Sequence, residues 1–425
     1  MIYVMQFCII KGKLMETFDV GIIGAGVAGT FATYRLINSH PKIKTLLVEM
    51  GRPPLKRRSQ TLGWLGLLPN SDGKLFIDSF DYKGDSTIHN SFPKVSDIDL
   101  SLAMKEVYSY LSSVIDVNNY IQHNPNASLL KKLEKNGFKY LINKYLEIFP
   151  KEIHNLSKII SDKLEDSNIT TIFDSEITSV ERDGNEYIIH SSDEASYRCK
   201  KLLISVGRSG WRWANTIFKH FGLVGVETSC RYGIRVESDE AFFSGFKKSS
   251  ITMSKNGVTY GPLCWNGTVI PEDHYDFAIS AFRSNENRWK SSKVSFEMTS
   301  DIVQVNGVEQ AERLGKLTFI LTNDRIAKEK VSALELKKSR VSILKEYNWC
   351  AGAINEFGKM VPDVLSKGYF YVPTITTLPA SLNINGKMMT ELDGLYVAGE
   401  SAGVSGLFGA MLSGILVADG IVGAL

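Results

Sequence analysis

Three glycines and one carboxylate set up the most specific chemistry in this chain. Gly24, Gly26 and Gly29 stand at the spacing Gly-x-Gly-x-x-Gly, and Glu49 follows 20 residues after the last of them. That spacing suits a pyrophosphate. Gly24 permits a sharp bend, Gly26 lets backbone approach phosphate with no Cβ in the way, and Gly29 lets the next helix pack closely. The first N–H groups of that helix have no internal partner and carry the positive dipole end, so the Val27 and Ala28 amides become anion donors. A carboxylate at Glu49 accepts ribose hydroxyls and repels a 2′-phosphate. The bland alternative is a glycine-rich turn between two core strands.

These residues need particular elements to position them. Asp19 to Ile23 is a short apolar run, as expected for a strand buried on both faces. An amphipathic helix follows the turn, and Leu46 to Val48 forms a second strand that ends at Glu49. Strand, turn, helix and strand thus come in the order of a dinucleotide-binding unit.

With 425 residues the chain exceeds one ordinary core, so two lobes are expected. A formal net charge of +3 and the absence of a long basic run argue against nucleic acid, and Lys56, Arg57 and Arg58 read as a solvated loop. Cys8, Cys199, Cys230, Cys264 and Cys350 are scattered with no Cys-x-x-Cys pair. This suits a reducing compartment and gives no support to a dithiol relay or a metal site. Ile2 to Ile10 is apolar but lacks a basic leader and a small-residue cleavage site, so it reads as a dispensable extension with Met15 as an alternative start. Cytoplasm is the expected location.

Between Met50 and Leu100 prolines and glycines break regular structure, yet Trp64, Leu65, Leu67 and Leu68 are too apolar for a free loop. Such a segment suits a cover folded over a flat ligand, with a turn at Ser71-Asp72-Gly73-Lys74. Helical spacing recurs over Asp99–Asn118 and Lys131–Asp166, with Pro125 and Pro150 as breakers. The period then changes to two, and Asn168–Phe173, Glu176–Arg182, Glu186–Ser191 and Ala195–Cys199 read as a β-meander. The apolar strand Leu202–Val206 runs into Gly207, Ser209 and Gly210 and a helix near Arg212–Phe221. From Val224 to about Tyr371 short alternating strands dominate, with helices near Glu309–Arg313 and Arg340–Glu356. The strand Asp393–Ala398 leads into a second glycine-rich loop, Gly399 to Gly406, which opens a nearly uncharged helix, Leu407–Leu425. A helix buried behind a ligand explains that composition better than a membrane span, because Asp419 and several glycines interrupt it.

Several motifs resemble one family in combination. Gly24 to Gly29 reads GAGVAG against GAGPAG, Ser71 to Leu75 reads SDGKL, Gly207 to Trp211 reads GRSGW, and Tyr232 to Glu237 reads YGIRVE. Gly394 to Gly406 matches GLYxxGExAGxxGG, with Leu407 in place of the last glycine. Over nearly its whole length the chain resembles the uncharacterised FAD-dependent dehydrogenases of the glutathione-reductase-like flavoprotein superfamily. Where such relatives carry cysteine motifs, this chain has Thr61 to Gly66 and Gly261 to Trp265.

The resemblance implies an α/β fold: a Rossmann-type FAD-binding domain with a β-meander, plus an inserted α+β substrate lobe. The FAD domain would combine residues 16–222, with a cofactor-covering insertion at about 52–135, and residues 376–425, around a substrate lobe at 223–375. Gly24, Gly26 and Gly29 with the Val27 and Ala28 amides would hold the FAD pyrophosphate and Glu49 the adenosine ribose, with Met50 and Arg52 next to it. Gly207 belongs to the expected cofactor set, and the Gly399-Glu400 loop would reach the ribityl and pyrophosphate region. Ser405, Gly406 and Leu407 would point a helix N-terminus at the flavin N1/O2 edge. No catalytic base stands out; Arg235, Tyr260, Trp265, His274 and Arg283 are candidates by residue type. The expected function is hydride transfer between flavin and a small organic substrate. The alternatives are a monooxygenase or reductase fed by transiently docked NAD(P)H, and a non-catalytic flavin-binding scaffold.

Overall fold

The computed structural model describes the chain apart from residues 1–8, 11–12, 54–55, 58, 60, 78–90, 166, 226–229, 275, 285–290, 303–306, 324 and 378–381. The start of the N-terminal apolar run, Arg58 and part of the expected cover therefore lie outside the described residues.

The first lobe is built on parallel strands. Strand β1 (Glu16–Ile23) lies between β2 (Thr45–Val48) and β9 (Ser196–Ile204), so its C-terminal half is buried on both faces. Apolar, branched side chains satisfy both faces at once, which is why this strand shows no alternation. Helix α1 (Val27–Ser39) connects β1 to β2. Strand β6 (Ile169–Ile172) extends the sheet beside β2, and a late strand, β19 (Leu395–Val397), pairs with β9. Residues from the beginning, middle and end of the chain thus share one sheet.

Strands β7 (Ile177–Asp183) and β8 (Glu186–Ser191) pair antiparallel with each other, and β8 with β9, forming the meander. Two expectations change here. The segment at 168–173 joins the parallel sheet rather than the meander, and the two strands read at 195–206 are one continuous strand. Its first half pairs with β8 and its second with β19, so one strand serves both halves of the sheet.

Helix α2 (Asp97–Leu111) forms on the first helical stretch, but the helical reading of Lys131–Asp166 fails in its middle. Helices α3 (Ala127–Lys135) and α4 (Pro150–Glu165) are separated by strands β4 (Lys139–Ile142) and β5 (Tyr145–Glu147). Long-range pairing overrides local periodicity: β5 pairs with β3 (Lys74–Phe76) and β4 with β11 (Ile251–Lys255), both distant in sequence. Pro150 opens α4 rather than breaking it, because a first-turn residue needs no N–H partner.

The second lobe is an antiparallel sheet. Its centre is β10 (Cys230–Asp239) between β16 (Lys293–Ile302) and β18 (Tyr369–Thr377). Strands β11, β12 (Val258–Tyr260) and β4 extend one side. Leu133 and Phe138 share this lobe's core, so it draws on the 127–142 segment as well as on the later residues. Between β13 (Cys264–Trp265) and β16 runs a separate hairpin, β14 (Gly267–His274) with β15 (Phe277–Ser284). A helix at Gly307–Leu321, the edge strand β17 (Ala327–Lys330) beside β18, and a helix at Asn348–Gly358 follow.

The terminal helix, Leu407–Val422, is almost wholly buried against α1. Gly414 allows the close approach: a Cβ there would lie 2.3 Å from the Ala28 carbonyl oxygen. Burial on most sides explains its apolar composition. No helix among the described residues is long and apolar enough to cross a membrane.

Candidate functional site

The glycine turn is fixed from both sides. Gly24 has φ +98°, and Ser205 at the end of β9 donates its hydroxyl to the Gly24 carbonyl at 2.9 Å. A Cβ at Gly29 would stand 2.0 Å from that same carbonyl and 2.6 Å from Ser205 Oγ, so Gly29 is a packing position. By contrast, a Cβ at Gly26 would meet only Ser205 O, at 3.8 Å, and Cβ atoms at Gly207 or Gly406 would have no neighbour within 4 Å. These three backbones border the open space of a cavity of about 540 Å³, within the ~300–1,000 Å³ range of ligand sites.

Three remote segments wall that cavity. Gly24, Gly26, Val27 and Ala28 come from the first turn, Val206 to Gly210 from the end of β9, and Ala398 to Glu400 with Gly406 and Leu407 from the last loop. Gly26 stands at the N-cap of helix α1 and Gly406 at that of the terminal helix, and neither helix has a side-chain cap or an acidic residue in its first turn. Two helix N-termini therefore offer backbone donors and positive dipole ends to the cavity. This arrangement can hold an elongated ligand bearing anionic groups.

Glu49 and Met50 border the cavity too, but Glu49 already has structural work. Its Oε2 accepts the Ala25 amide at 2.7 Å, and its Oε1 accepts the Gly51 and Gly63 amides at 2.7 and 2.9 Å. The carboxylate thus ties the glycine turn to the 61–67 loop. Leu65 N also donates to Ala25 O at 2.8 Å, and Thr61, Leu62, Gly63, Gly66 and Leu67 complete this wall. Of the sequence-derived set, Gly29, Arg52 and Ser405 do not line the cavity. Arg52 pairs with Asp174 at 3.5 Å on the surface.

The five catalytic candidates also fall outside it. Tyr260 and Trp265 are core side chains, donating to Ala353 O at 3.1 Å and Ser249 O at 2.9 Å. Arg235 is buried against Glu297 and Ser280 O, and Arg283 is exposed on the hairpin. His274 is buried with Nε2 3.8 Å from Glu312 Oε1.

Burial, together with the Arg208 and Arg212 guanidinium groups, pushes the His274 imidazole down to about 3. Unfolded, this imidazole binds a proton near its ordinary value of 6.5. Between these values the unfolded chain binds more protons, so stability falls as pH drops through this window. Replacing His274 with leucine is expected to flatten that slope, measured as melting temperature against pH between 6.5 and 4.

Sequence reading missed Arg208 and Glu272. Arg208 follows Gly207 and lies between the lobes, 3.1 Å from Glu400 Oε1 and 3.4 Å from Glu272 Oε1. Glu400, and after it Glu272, hold this guanidinium charged against the opposing effect of burial. Burial pushes the Glu272 carboxyl up, and Arg208 partly offsets it. The available signal was alternation: Glu272 and His274 share the buried face of one strand. A second bridge joins the lobes nearby, where Glu312 accepts Arg212 at 2.7 Å and Trp211 Nε1 at 3.0 Å.

The Ser71–Leu75 segment lies at another contact between the lobes. Lys74 is buried and donates to Leu263 O at 3.1 Å, while Cys264 Sγ stands 3.7 Å from Asp72 Oδ2. Burial pushes the Cys264 thiol up to about 11, so it is not a thiolate at neutral pH.

No family model matches this chain, and no curated protein matches it. Among solved structures, glycine oxidase from Geobacillus kaustophilus is 13% identical, with 96% of this chain and 95% of that chain covered and a TM-score of 0.46. A flavoprotein/dehydrogenase from Cytophaga hutchinsonii is 13% identical, covering 96% and 79% with a TM-score of 0.43. A probable FAD-dependent monooxygenase from Pseudomonas aeruginosa is 11% identical, covering 96% and 87% with a TM-score of 0.39. At TM-scores this low the likenesses carry no inference about this chain's chemistry.

Proposed function

We propose that this protein is an FAD-dependent oxidoreductase acting on a small organic molecule. The observation that carries the reading is the cavity itself: the glycine turn, the end of β9 and the last glycine loop converge on it, with two uncapped helix N-termini. The residues fit the group, because Gly26, Gly207 and Gly406 leave space where any side chain would stand.

The Val27 and Ala28 amides would take the pyrophosphate, and the Glu49 edge of the cavity the ribose. Gly399 and Glu400 would border the ribityl chain, and the amides opening the terminal helix would face the flavin edge. A bound flavin supplies hydride transfer. The chain's own part is to hold that ligand, exclude water with the 61–67 wall, and favour negative charge at the terminal helix N-terminus. A dehydrogenase is the leading form of the reading; a monooxygenase or reductase fed by NAD(P)H is the second.

The purified protein is expected to show a flavin absorbance band that bleaches anaerobically with a donor. Bleaching by NADH or NADPH alone would favour the second form, and bleaching only with an organic substrate the first. A protein with no flavin band after reconstitution with FAD would overturn the reading.

A further inference from the structure

We propose that Glu272 is the proton donor of this cavity. This deepens the flavoenzyme reading and rests on it. Among the described residues that line the cavity, Glu272 is the one contributed by the second lobe. Every other lining residue belongs to the sheet, loops and helices of the first lobe, where the cofactor set lies. A substrate enclosed between the cofactor and the second lobe would therefore meet this carboxyl.

Charge balance indicates which form it takes. The ionisable groups facing Glu272 are Arg208, Glu400, Arg235 and Glu297. Beyond them stand Arg212 with Glu312, and a neutral His274. Arg235 is paired with Glu297 and Arg212 with Glu312, which leaves Arg208 between two carboxylates. Glu400 is the nearer, at 3.1 Å against 3.4 Å. Three cations thus face four carboxyls among the described residues, and the surplus negative charge is costly at low dielectric. A proton on one carboxyl removes it, and Glu272, only 4% exposed and the more distant from Arg208, is where it costs least. The same burial pushes this carboxyl up.

In the donor step the Glu272 O–H bond breaks as a bond from that proton to the substrate forms. Its electron pair stays on the carboxylate, and Arg208 neutralises the new charge. A reduced flavin held in the cavity would supply the hydride that completes a substrate reduction. In the opposite direction the carboxylate takes the proton back.

The test compares wild-type holoprotein with Glu272→Gln by infrared difference spectroscopy across pH, with the visible flavin band recorded on each sample. The expected result is a protonated-carboxyl carbonyl band in the wild type that persists above the pH at which an ordinary glutamate loses it. It should be lost in Glu272→Gln, shifted in Glu272→Asp and retained when Glu147, a second carboxyl pushed up by burial, is replaced by glutamine. With flavin bound, a wild type lacking the band, or a band that survives Glu272→Gln unchanged, overturns the assignment alone. A protein that takes up no flavin overturns the donor step together with the reading beneath it, and the visible spectrum separates the two failures.

Discussion

Replacing Gly26 with leucine is expected to abolish flavin retention while leaving the chain folded. Gly26 lines the cavity, and a Cβ placed there meets only Ser205 O, at 3.8 Å. The native backbone therefore accepts a side chain at this position. Leucine's remaining carbons then occupy the volume against the α1 N-terminus, where a pyrophosphate must come within hydrogen-bond distance of backbone amides. Losing that approach removes several charge-assisted hydrogen bonds of about 1.5–3 kcal/mol each. That is enough to lower affinity by a factor of a thousand or more. Flavin per chain, read from the absorbance ratio of purified protein, checks the outcome, with circular dichroism as the folding control. Stoichiometric flavin in this variant would show that the site is misplaced. Gly29 makes the contrast: a Cβ 2.0 Å from the Gly24 carbonyl cannot be accommodated, so Gly29→Ala should fail by destabilisation instead.

Glu49→Ala is expected to lose stability and flavin together. The native carboxylate accepts three backbone amides, from Ala25, Gly51 and Gly63, and it is 7% exposed. Alanine leaves these donors without their acceptor and releases the 61–67 wall from the glycine turn. Unpaired buried donors cost about 1–3 kcal/mol each, and because the three share one anchor the loss is not simply additive. A destabilisation of about 3 kcal/mol or more is expected, seen as a lower midpoint in urea. Glu49→Gln should fall between, since its amide oxygen still accepts while its NH₂ opposes a backbone donor. If Glu49 served only a ribose, alanine would lower flavin affinity and leave the apoprotein's urea midpoint unchanged.

The unit from β1 to β2 was legible in the sequence because its constraints are local. Buried parallel strands demand apolar runs, a turn against phosphate demands glycine, and both demands fall within about thirty residues. Gly24 and Gly26 and the last glycine loop could be read this way, and the structure brings them onto one cavity. Strands β4 and β5 could not be read. They pair residue by residue with 251–254 and 74–76, and nothing nearby in sequence signals those partners.

The same limit governs the reactive groups. Residue type pointed to His274, but its ring faces Glu312 and two guanidinium groups, and burial keeps it neutral. Residue type alone does not single out the neighbouring acid Glu272. Its character depends on Arg208 and Glu400, 64 residues earlier and 128 later, which only chain folding brings beside it. Glycine placement and apolar periodicity act through local sterics, so where the backbone bends and where a helix begins is legible along the chain. Which carboxyl shares which guanidinium is settled by folding, because Coulomb energy and desolvation depend on distances that sequence separation does not set.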